Sequence, residues 1–245
     1  MKNEDFILSK TVNFLRFPLA VLVVLIHANY LKLSVGSNIF KYGYCSFPIL
    51  NNIIYIFAGL LASAAVPLFF CISGYMFFSN LEKFDFKIYS NKIKRRGKSL
   101  FIPYLFWNLA VIILFWFAQT FVPGLMSGSK KLIVDYSLKD FVYAFWATKK
   151  NGYPMCYQLW FIRDLMVTFV LSPAIFCFIK KMKWSFIVIL LFMWINSFEV
   201  SIEGISFVAL SFFSLGSFFA INDINFILFL EKHSSKIYVL FTIML

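Results

Sequence analysis

Charged side chains are scarce in this chain. They make up 14% of its 245 residues and only 11 of them are acidic, whereas 61% of the residues are hydrophobic and 34 are phenylalanine. Because a soluble domain carries roughly 25% charged residues, this composition excludes an ordinary water-soluble protein. The apolar residues form continuous blocks, which favours membrane-spanning helices over the alternating strands of a transmembrane β-barrel.

Metal-ligating residues are equally few. The chain has two histidines, scattered carboxylates and four cysteines without the close spacing of a zinc site, so the sequence predicts no metal centre. A disulfide between Cys45 and Cys156 is left open, because both would lie on the outer side in the topology below. The net charge is +12, but no basic, aromatic-interleaved domain lies outside the apolar blocks, so nucleic-acid binding is not predicted.

Seven apolar blocks organise the chain. They lie at about 11–31, 53–79, 100–122, 159–179, 184–198, 205–221 and 236–245. Since a crossing helix needs ~20 apolar residues, we expect an all-α, polytopic membrane protein with about six or seven transmembrane helices in a single domain, 1–245. The seventh block has only ten residues, so we expect a domain truncated at its C-terminus, inside a helix.

The distribution of lysine and arginine predicts the orientation. With the N-terminus in the cytoplasm, inner segments hold 15 of these residues and outer segments hold 7, which favours this topology. Within the long outer segment 123–158, the stretch SLKDFVYAFWA (137–147) has apolar residues at helical spacing. It predicts an interfacial amphipathic helix, which either caps an outward-facing site or rests on lipid headgroups.

The stretch RFPLAVLVVLIH (16–27), within the first block, begins with Arg16 and ends with His27. Eleven positions at about 100° each make three turns plus ~20°, so both side chains lie on one helix face, ~16 Å apart along the axis. Arg16 either snorkels to headgroups or belongs to a functional site. His27 either makes an interhelical hydrogen bond or serves as a general base for a hydroxyl.

Three further stretches carry polar residues at the ends of apolar blocks. In PLFFCISGYMFFSN (67–80), Pro67 predicts a break or kink that lines a cavity or serves packing, with Ser73 and Gly74 allowing close helix approach. The cations Lys92, Lys94, Arg95, Arg96 and Lys98 crowd the start of the third block. They either anchor topology or bind a polyphosphorylated ligand such as a nucleotide-bearing cofactor. Arg163 and Asp164 lie near the start of the fourth block. Adjacent side chains on a helix point ~100° apart and need not pair, so these two either face a polar outer cavity or form an interfacial pair.

Taken together, these stretches resemble the acyltransferase-3 family of membrane O-acyltransferases. The family's arginine and histidine in the first helix match Arg16 and His27, with Ala20 and Val24 between them. Three more elements match in order: FFxxSGY at Phe69, Phe70, Ser73, Gly74 and Tyr75; a basic run into PYxxW at Arg96, Lys98, Pro103, Tyr104 and Trp107; and LWF at Leu159, Trp160 and Phe161. Ser99 stands where a basic residue commonly precedes the proline.

The resemblance implies a function. Such proteins take an acyl group, usually acetyl from acetyl-coenzyme A on the cytoplasmic side, and pass it to a hydroxyl of an envelope or exported glycan. His27 would be the base or a transient acyl carrier, Arg16 would stabilise the site or contact the donor, and Lys94, Arg95, Arg96 and Lys98 would meet coenzyme A phosphates. Seven further residues are predicted to contact substrate or line its cavity: Ser73, Gly74, Tyr75, Trp107, Trp160, Arg163 and Asp164.

The implied protein is a multi-pass component of a bacterial plasma membrane. Its partners would be membrane lipid, the coenzyme A thioester and the glycan acceptor, with no permanently bound cofactor. Two alternatives stay open from the residues alone. Buried histidine and arginine also mark the permeation routes of transporters or export components, and an incomplete chain could be an inactive remnant.

Overall fold

The structure, a computed structural model, describes residues 2–28, 32–35, 38–41, 55–79, 85–123, 131–148, 152–198 and 202–235. The helices are α1 (Lys2–Ala28), α2 (Ala65–Phe78), α3 (Phe86–Arg96), α4 (Ile102–Phe121), α5 (Leu138–Trp146), α6 (Trp160–Met182), α7 (Trp184–Ile195), α8 (Phe207–Ile221) and α9 (Phe226–Lys232). Two π-helical segments, Tyr55–Leu61 and Gly97–Phe101, precede α2 and join α3 to α4. A short antiparallel hairpin pairs β1 (Lys32–Val35) with β2 (Asn38–Lys41).

The predicted helical membrane fold is confirmed. Among the described residues, three helical stretches are long and apolar enough to cross a membrane: Lys10–His27, Phe86–Phe121 and Tyr157–Met182. The blocks predicted at 53–79, 184–198 and 205–221 contain the shorter apolar helices α2, α7 and α8, of 14, 12 and 15 residues. The block at 236–245 lies outside the described residues.

The second apolar block is interrupted, as Pro67 predicts. The π-helical segment ends at Leu61, a turn follows at Ala64, and α2 begins at Ala65. Proline has no N–H for the carbonyl four residues earlier, and its ring crowds that carbonyl. Pro67 is therefore best accommodated in the first turn of a helix, and it lies there in α2.

Helices α2 and α8 pack with their backbones in contact. A Cβ atom built on Gly74 of α2 would lie 2.1 Å from the carbonyl oxygen of Phe213, and one built on Gly216 of α8 would lie 1.9 Å from that of Cys71. Such approach is possible only without side chains at the crossing point, as in other membrane helix pairs with small residues. The close helix approach expected for Gly74 is therefore present.

Phenylalanine fills the centre of the bundle. Phe77 of α2, Phe169 of α6 and Phe213 of α8 are almost fully buried, with ring centroids 5.0–6.3 Å apart. On the outside, Phe14 and Phe17 of α1 are 75% and 76% exposed. Large apolar side chains exposed on a membrane helix meet lipid rather than water, so this surface suits a bilayer.

The predicted amphipathic helix in the outer segment is also present, as α5. Ser137 and Asp140 form a capping box at its start, because each side chain accepts a hydrogen bond from the other's backbone N–H. Its inner side packs through Ala144, Phe141 and Phe145 against α4 and the turn at 133–135.

Candidate functional site

Helix α1 presents one row of side chains to the bundle. Val12 and Leu19 are buried, and Val23 packs against the main core. Arg16 follows Val12 by one turn, and His27 follows Val23 by one turn, so both belong to the row that faces the other helices. Since α1 is one continuous helix, the predicted common face of Arg16 and His27 is confirmed.

A cavity of about 470 Å³, here called the basic cavity, lies where the end of α2 meets α3 and the segment that follows it. Its lining residues are Met76, Phe77, Lys92, Arg95, Arg96 and Ser99. Arg16 reaches this place from α1, because its Nη2 atom donates to Sδ of Met76 at 3.7 Å and its charge acts on Arg96. The structure therefore joins Arg16 to the basic cluster, although the two belong to different helices that are distant in the sequence.

Two of the cavity's cations are held by neighbouring groups. The Lys92 ammonium donates to the carbonyl oxygens of Phe77 at 2.5 Å and Ser79 at 3.4 Å, and so caps the C-terminal end of α2. The Arg96 guanidinium lies 5.7 Å from the ring centroid of Phe169. The ion pairs that the structure describes involve Lys131 and Arg163, not these cations. The lining residues that the structure describes include no carboxylate, so this part of the basic cavity is suited to an anionic ligand.

Only part of the predicted phosphate-binding set lines this cavity. Arg95 and Arg96 do, whereas Lys94 and Lys98 lie outside the lining. The lining positions 92, 95, 96 and 99 follow the i, i+3, i+4, i+7 spacing of one helix face, and 94 and 98 fall on another. Helical periodicity would thus have predicted Lys92 and Ser99, rather than Lys94 and Lys98, as residues that line the cavity.

A second cavity, of about 380 Å³ and here called the histidine cavity, lies at the other end of α1. It is lined by Val23, Val24, His27, Gln158, Leu159 and Phe161. The ring of Tyr157 meets the His27 imidazole edge to face, with centroids 5.3 Å apart. Leu159 and Phe161 come from the LWF element, so the structure brings two of the sequence motifs together around His27.

The two cavities divide the predicted site along α1. Arg16 belongs to the end where the basic run 92–96 gathers, and His27 belongs to the end where residues 157–161 gather. The topology predicted from lysine and arginine assigns the first group to the inner side and the second to the outer side. Arg16 and His27 therefore lie beside two separate cavities, about 16 Å apart along one helix.

Arg163 and Asp164 form a buried ion pair. Nε and Nη2 of Arg163 both lie 3.0 Å from Oδ1 of Asp164, and the side chains are 4% and 2% exposed. Although neighbours on a helix point apart, the long arginine side chain bends back to its partner. Nη1 of Arg163 also donates to the carbonyl oxygens of Trp146 at 2.6 Å and Gly152 at 2.8 Å. The pair thus fastens the outer segment to α6, and it lines neither cavity.

The other predicted substrate residues lie outside both cavity linings. Gly74 serves the contact between α2 and α8, and the backbone nitrogen of Tyr75 lies beside Gly216. Trp107 is 54% exposed, and Trp160 packs against the main core. Ser73 is half-buried on α2. A direct role for these residues in substrate binding stays a prediction.

Two amides that sequence reasoning passed over hold prominent positions. Gln158 lines the histidine cavity, and Asn108 of α4 is completely buried. Nδ2 of Asn108 donates to the Tyr104 carbonyl at 2.9 Å, and Oδ1 accepts from the Cys156 N–H at 3.0 Å. Asn108 could have been found, because an amide inside a predicted transmembrane helix signals an interhelical hydrogen bond.

Cys156 carries a free thiol. Burial raises the pKa of this thiol above its ordinary value. Cys45, with which a disulfide was left open, lies outside the described residues.

Comparison with known proteins places the chain by its sequence. A search of curated proteins and a search of solved structures found no match. The family model described as an acyltransferase domain, that of the acyltransferase-3 family, matches residues 10–245. This match takes in the membrane-spanning part of α1, the basic cavity and the histidine cavity. The chain therefore belongs to the acyltransferase-3 family of membrane acyltransferases.

Proposed function

We propose that this chain transfers an acyl group, typically acetyl, from coenzyme A to a hydroxyl of an envelope or exported glycan in a bacterial plasma membrane. The observation that carries the proposal is the pair of cavities on α1. The basic cavity gathers cations beside Arg16, and the histidine cavity contains His27, which lies about 16 Å from Arg16 along the helix axis. An acyl donor with several phosphates and an acceptor with a hydroxyl require these two kinds of site.

The basic cavity supplies the chemistry for the donor. Coenzyme A is polyanionic, and its phosphates would accept charge-assisted hydrogen bonds from Arg95 and Arg96, whose guanidinium groups can bind phosphate in a bidentate manner. Arg16 adds a third positive charge at the edge of the same cavity. Lys92 contributes charge while it holds the end of α2 in place.

The histidine cavity supplies the base that would activate the acceptor hydroxyl. A neutral imidazole can take the proton of a hydroxyl as that oxygen attacks an acyl carbonyl. Four of the six described lining residues are apolar, so His27 lies against a largely apolar surface. His27 would act as the general base in this arrangement.

The first test uses membranes that contain the chain, labelled acetyl-coenzyme A and an envelope-glycan acceptor. His27→Ala should lower label transfer by about 10²–10⁴-fold, the usual contribution of a general base, with no change in the amount of inserted protein. Transfer by His27→Ala at the parental rate would contradict the base role. Parental membranes without any transfer would contradict the enzymatic proposal.

The second test asks whether the basic cavity binds the donor. Arg95→Gln/Arg96→Gln removes two cations, each worth about 1.5–3 kcal/mol in a hydrogen bond to a phosphate, so KM for acetyl-coenzyme A should rise at least ~100-fold. The matched control is Lys87→Gln/Lys181→Gln, which removes two exposed cations of the predicted inner side that lie outside the cavity. An equal rise in both double variants would mean that these charges act only on orientation or on the general field.

A further inference from the structure

Among the residues that the structure describes, one polar side chain besides His27 lines the histidine cavity. Val23, Val24, Leu159 and Phe161 form apolar walls, and Gln158 completes the lining. A polar group in such surroundings makes stronger hydrogen bonds than it would in water. What Gln158 does there depends on which of its atoms are already engaged.

The side-chain carbonyl oxygen of Gln158 already accepts a hydrogen bond from the protein. The Cys156 thiol donates to Oε1 of Gln158, with sulfur and oxygen 3.5 Å apart. Cys156 is itself fixed through its backbone N–H by the buried Asn108, which is tied to α4 through the Tyr104 carbonyl. This series of hydrogen bonds from α4 therefore favours the orientation in which the carbonyl oxygen of Gln158 lies next to the Cys156 thiol.

The amide nitrogen of Gln158 takes no part in this series of hydrogen bonds and can donate to a ligand. A carboxamide nitrogen carries two N–H donors. Within the part of the chain that the structure describes, the thiol contact is the hydrogen bond that the Gln158 side chain makes. The cavity thus combines apolar walls, a base and a neutral donor.

This combination matches an acyl group better than a sugar. An acetyl group has an apolar methyl and one carbonyl oxygen, which need an apolar wall and one or two donors. A sugar ring displays hydroxyls around its edge and would need several polar partners, whereas in the part of the chain that the structure describes two polar side chains line this cavity. We propose that the histidine cavity holds the acyl group and that the Gln158 amide donates a hydrogen bond to its carbonyl oxygen.

This inference rests on the proposed function and completes its chemical step. The acceptor hydroxyl oxygen attacks the thioester carbonyl carbon, a C–O bond forms, and the hydroxyl proton passes to His27. The carbonyl π electrons move onto its oxygen, and this oxyanion accepts the hydrogen bond from Gln158. When the C=O bond re-forms, the C–S bond breaks, and the coenzyme A thiolate takes the proton from His27.

The test is Gln158→Leu, with Gln158→Met as a second variant that also lacks donors. Loss of one oxyanion donor lowers kcat by about 10²–10³-fold, and KM for acetyl-coenzyme A and for the glycan should stay within about twofold. The matched control is Gln119→Leu, because Gln119 also uses its carbonyl oxygen, accepting from the Ile133 N–H at 2.9 Å, but lies outside both cavities. Membrane level and thermal midpoint are measured for every variant, and Gln158→Met decides if Gln158→Leu fails to insert.

The outcomes separate this inference from the proposed function. If the parent transfers label and His27→Ala does not, a parental kcat in the Gln158 variants overturns the inference alone. A raised KM for the glycan with unchanged kcat also overturns it, because the amide would then bind the acceptor. An equal kcat loss in Gln119→Leu would assign the effect to folding and overturn it as well. Failure of parental transfer, or its persistence in His27→Ala, overturns both proposals.

Discussion

Replacing Gly74 with alanine should separate α2 from α8. The added Cβ would lie 2.1 Å from the Phe213 carbonyl oxygen, whereas ordinary contact begins at 3.4 Å, so the backbones must move apart by the difference between these distances. The obstructing atom belongs to a helix backbone and cannot rotate away as a side chain can. The contact at Gly74 therefore responds to a single methyl group.

The size of the effect follows from known overpacking. Extra methyl or methylene groups in a tight core destabilise by about 1–3 kcal/mol when neighbouring side chains give way. With a backbone partner we expect the upper end, about 3 kcal/mol, which for a chain of this size lowers the thermal midpoint by about 6–12 °C. Gly216→Ala meets the Cys71 carbonyl oxygen at 1.9 Å and should behave alike.

The assay is thermal unfolding of purified protein in detergent, with Gly97→Ala as the matched control. Gly97 has helical dihedral angles, and its new Cβ would meet no heavy atom within 4 Å. Alanine there should be neutral or stabilising by up to ~1 kcal/mol, because alanine is the better helix former. KM for acetyl-coenzyme A should rise in Gly74→Ala, since α2 carries Met76 and Phe77 of the basic cavity.

A double variant gives the sharper check. Once one alanine has separated the helices, the second meets less resistance, so Gly74→Ala/Gly216→Ala should be destabilised by clearly less than the sum of the single variants. Midpoints for Gly74→Ala equal to those of the parent and of Gly97→Ala would refute the close contact. Strictly additive losses would show that the two glycines do not share one interface.

Two further predictions concern the outer segment. Arg163→Met leaves the buried Asp164 carboxylate without its ion-pair partner and should destabilise the folded protein by about 3–5 kcal/mol in thermal unfolding. The double variant Arg163→Met/Asp164→Leu should recover most of this loss, and a double variant as unstable as the single one would contradict the prediction. Hydrogen bonds from Lys131 and Ser137 hold the pKa of the Asp140 carboxyl well below its ordinary value. A lowered pKa stabilises the folded state at pH values above the unfolded pKa of about 4. Protection of residues 131–148 from amide exchange should therefore decline only as the pH falls below about 4. In Asp140→Asn the same residues should be less protected at neutral pH, and their protection should not change as the pH falls through this range.

Local periodicity accounts for what could be predicted. Arg16 and His27 share a face of α1 because their separation completes about three turns of any α-helix, whatever packs against it. The break before Pro67 and the capping box of α5 are likewise decided by a few consecutive residues. The run of apolar blocks determined the helical membrane fold for the same reason, since a bilayer demands internally hydrogen-bonded segments.

The contacts between helices were decided by the tertiary structure. Nothing near position 158 indicates that Gln158 shares a cavity with His27, which lies in the first helix, and nothing near Arg16 indicates Arg96 as its neighbour. The spacing on α6 alone left open whether Arg163 and Asp164 pair; in the structure they do, and the arginine also donates to two carbonyl oxygens of the outer segment. Sequence periodicity determines the direction of a side chain around its own helix axis. The partners of that side chain depend on which helices pack together, and this packing depends on the burial and close approach of residues distant in the chain.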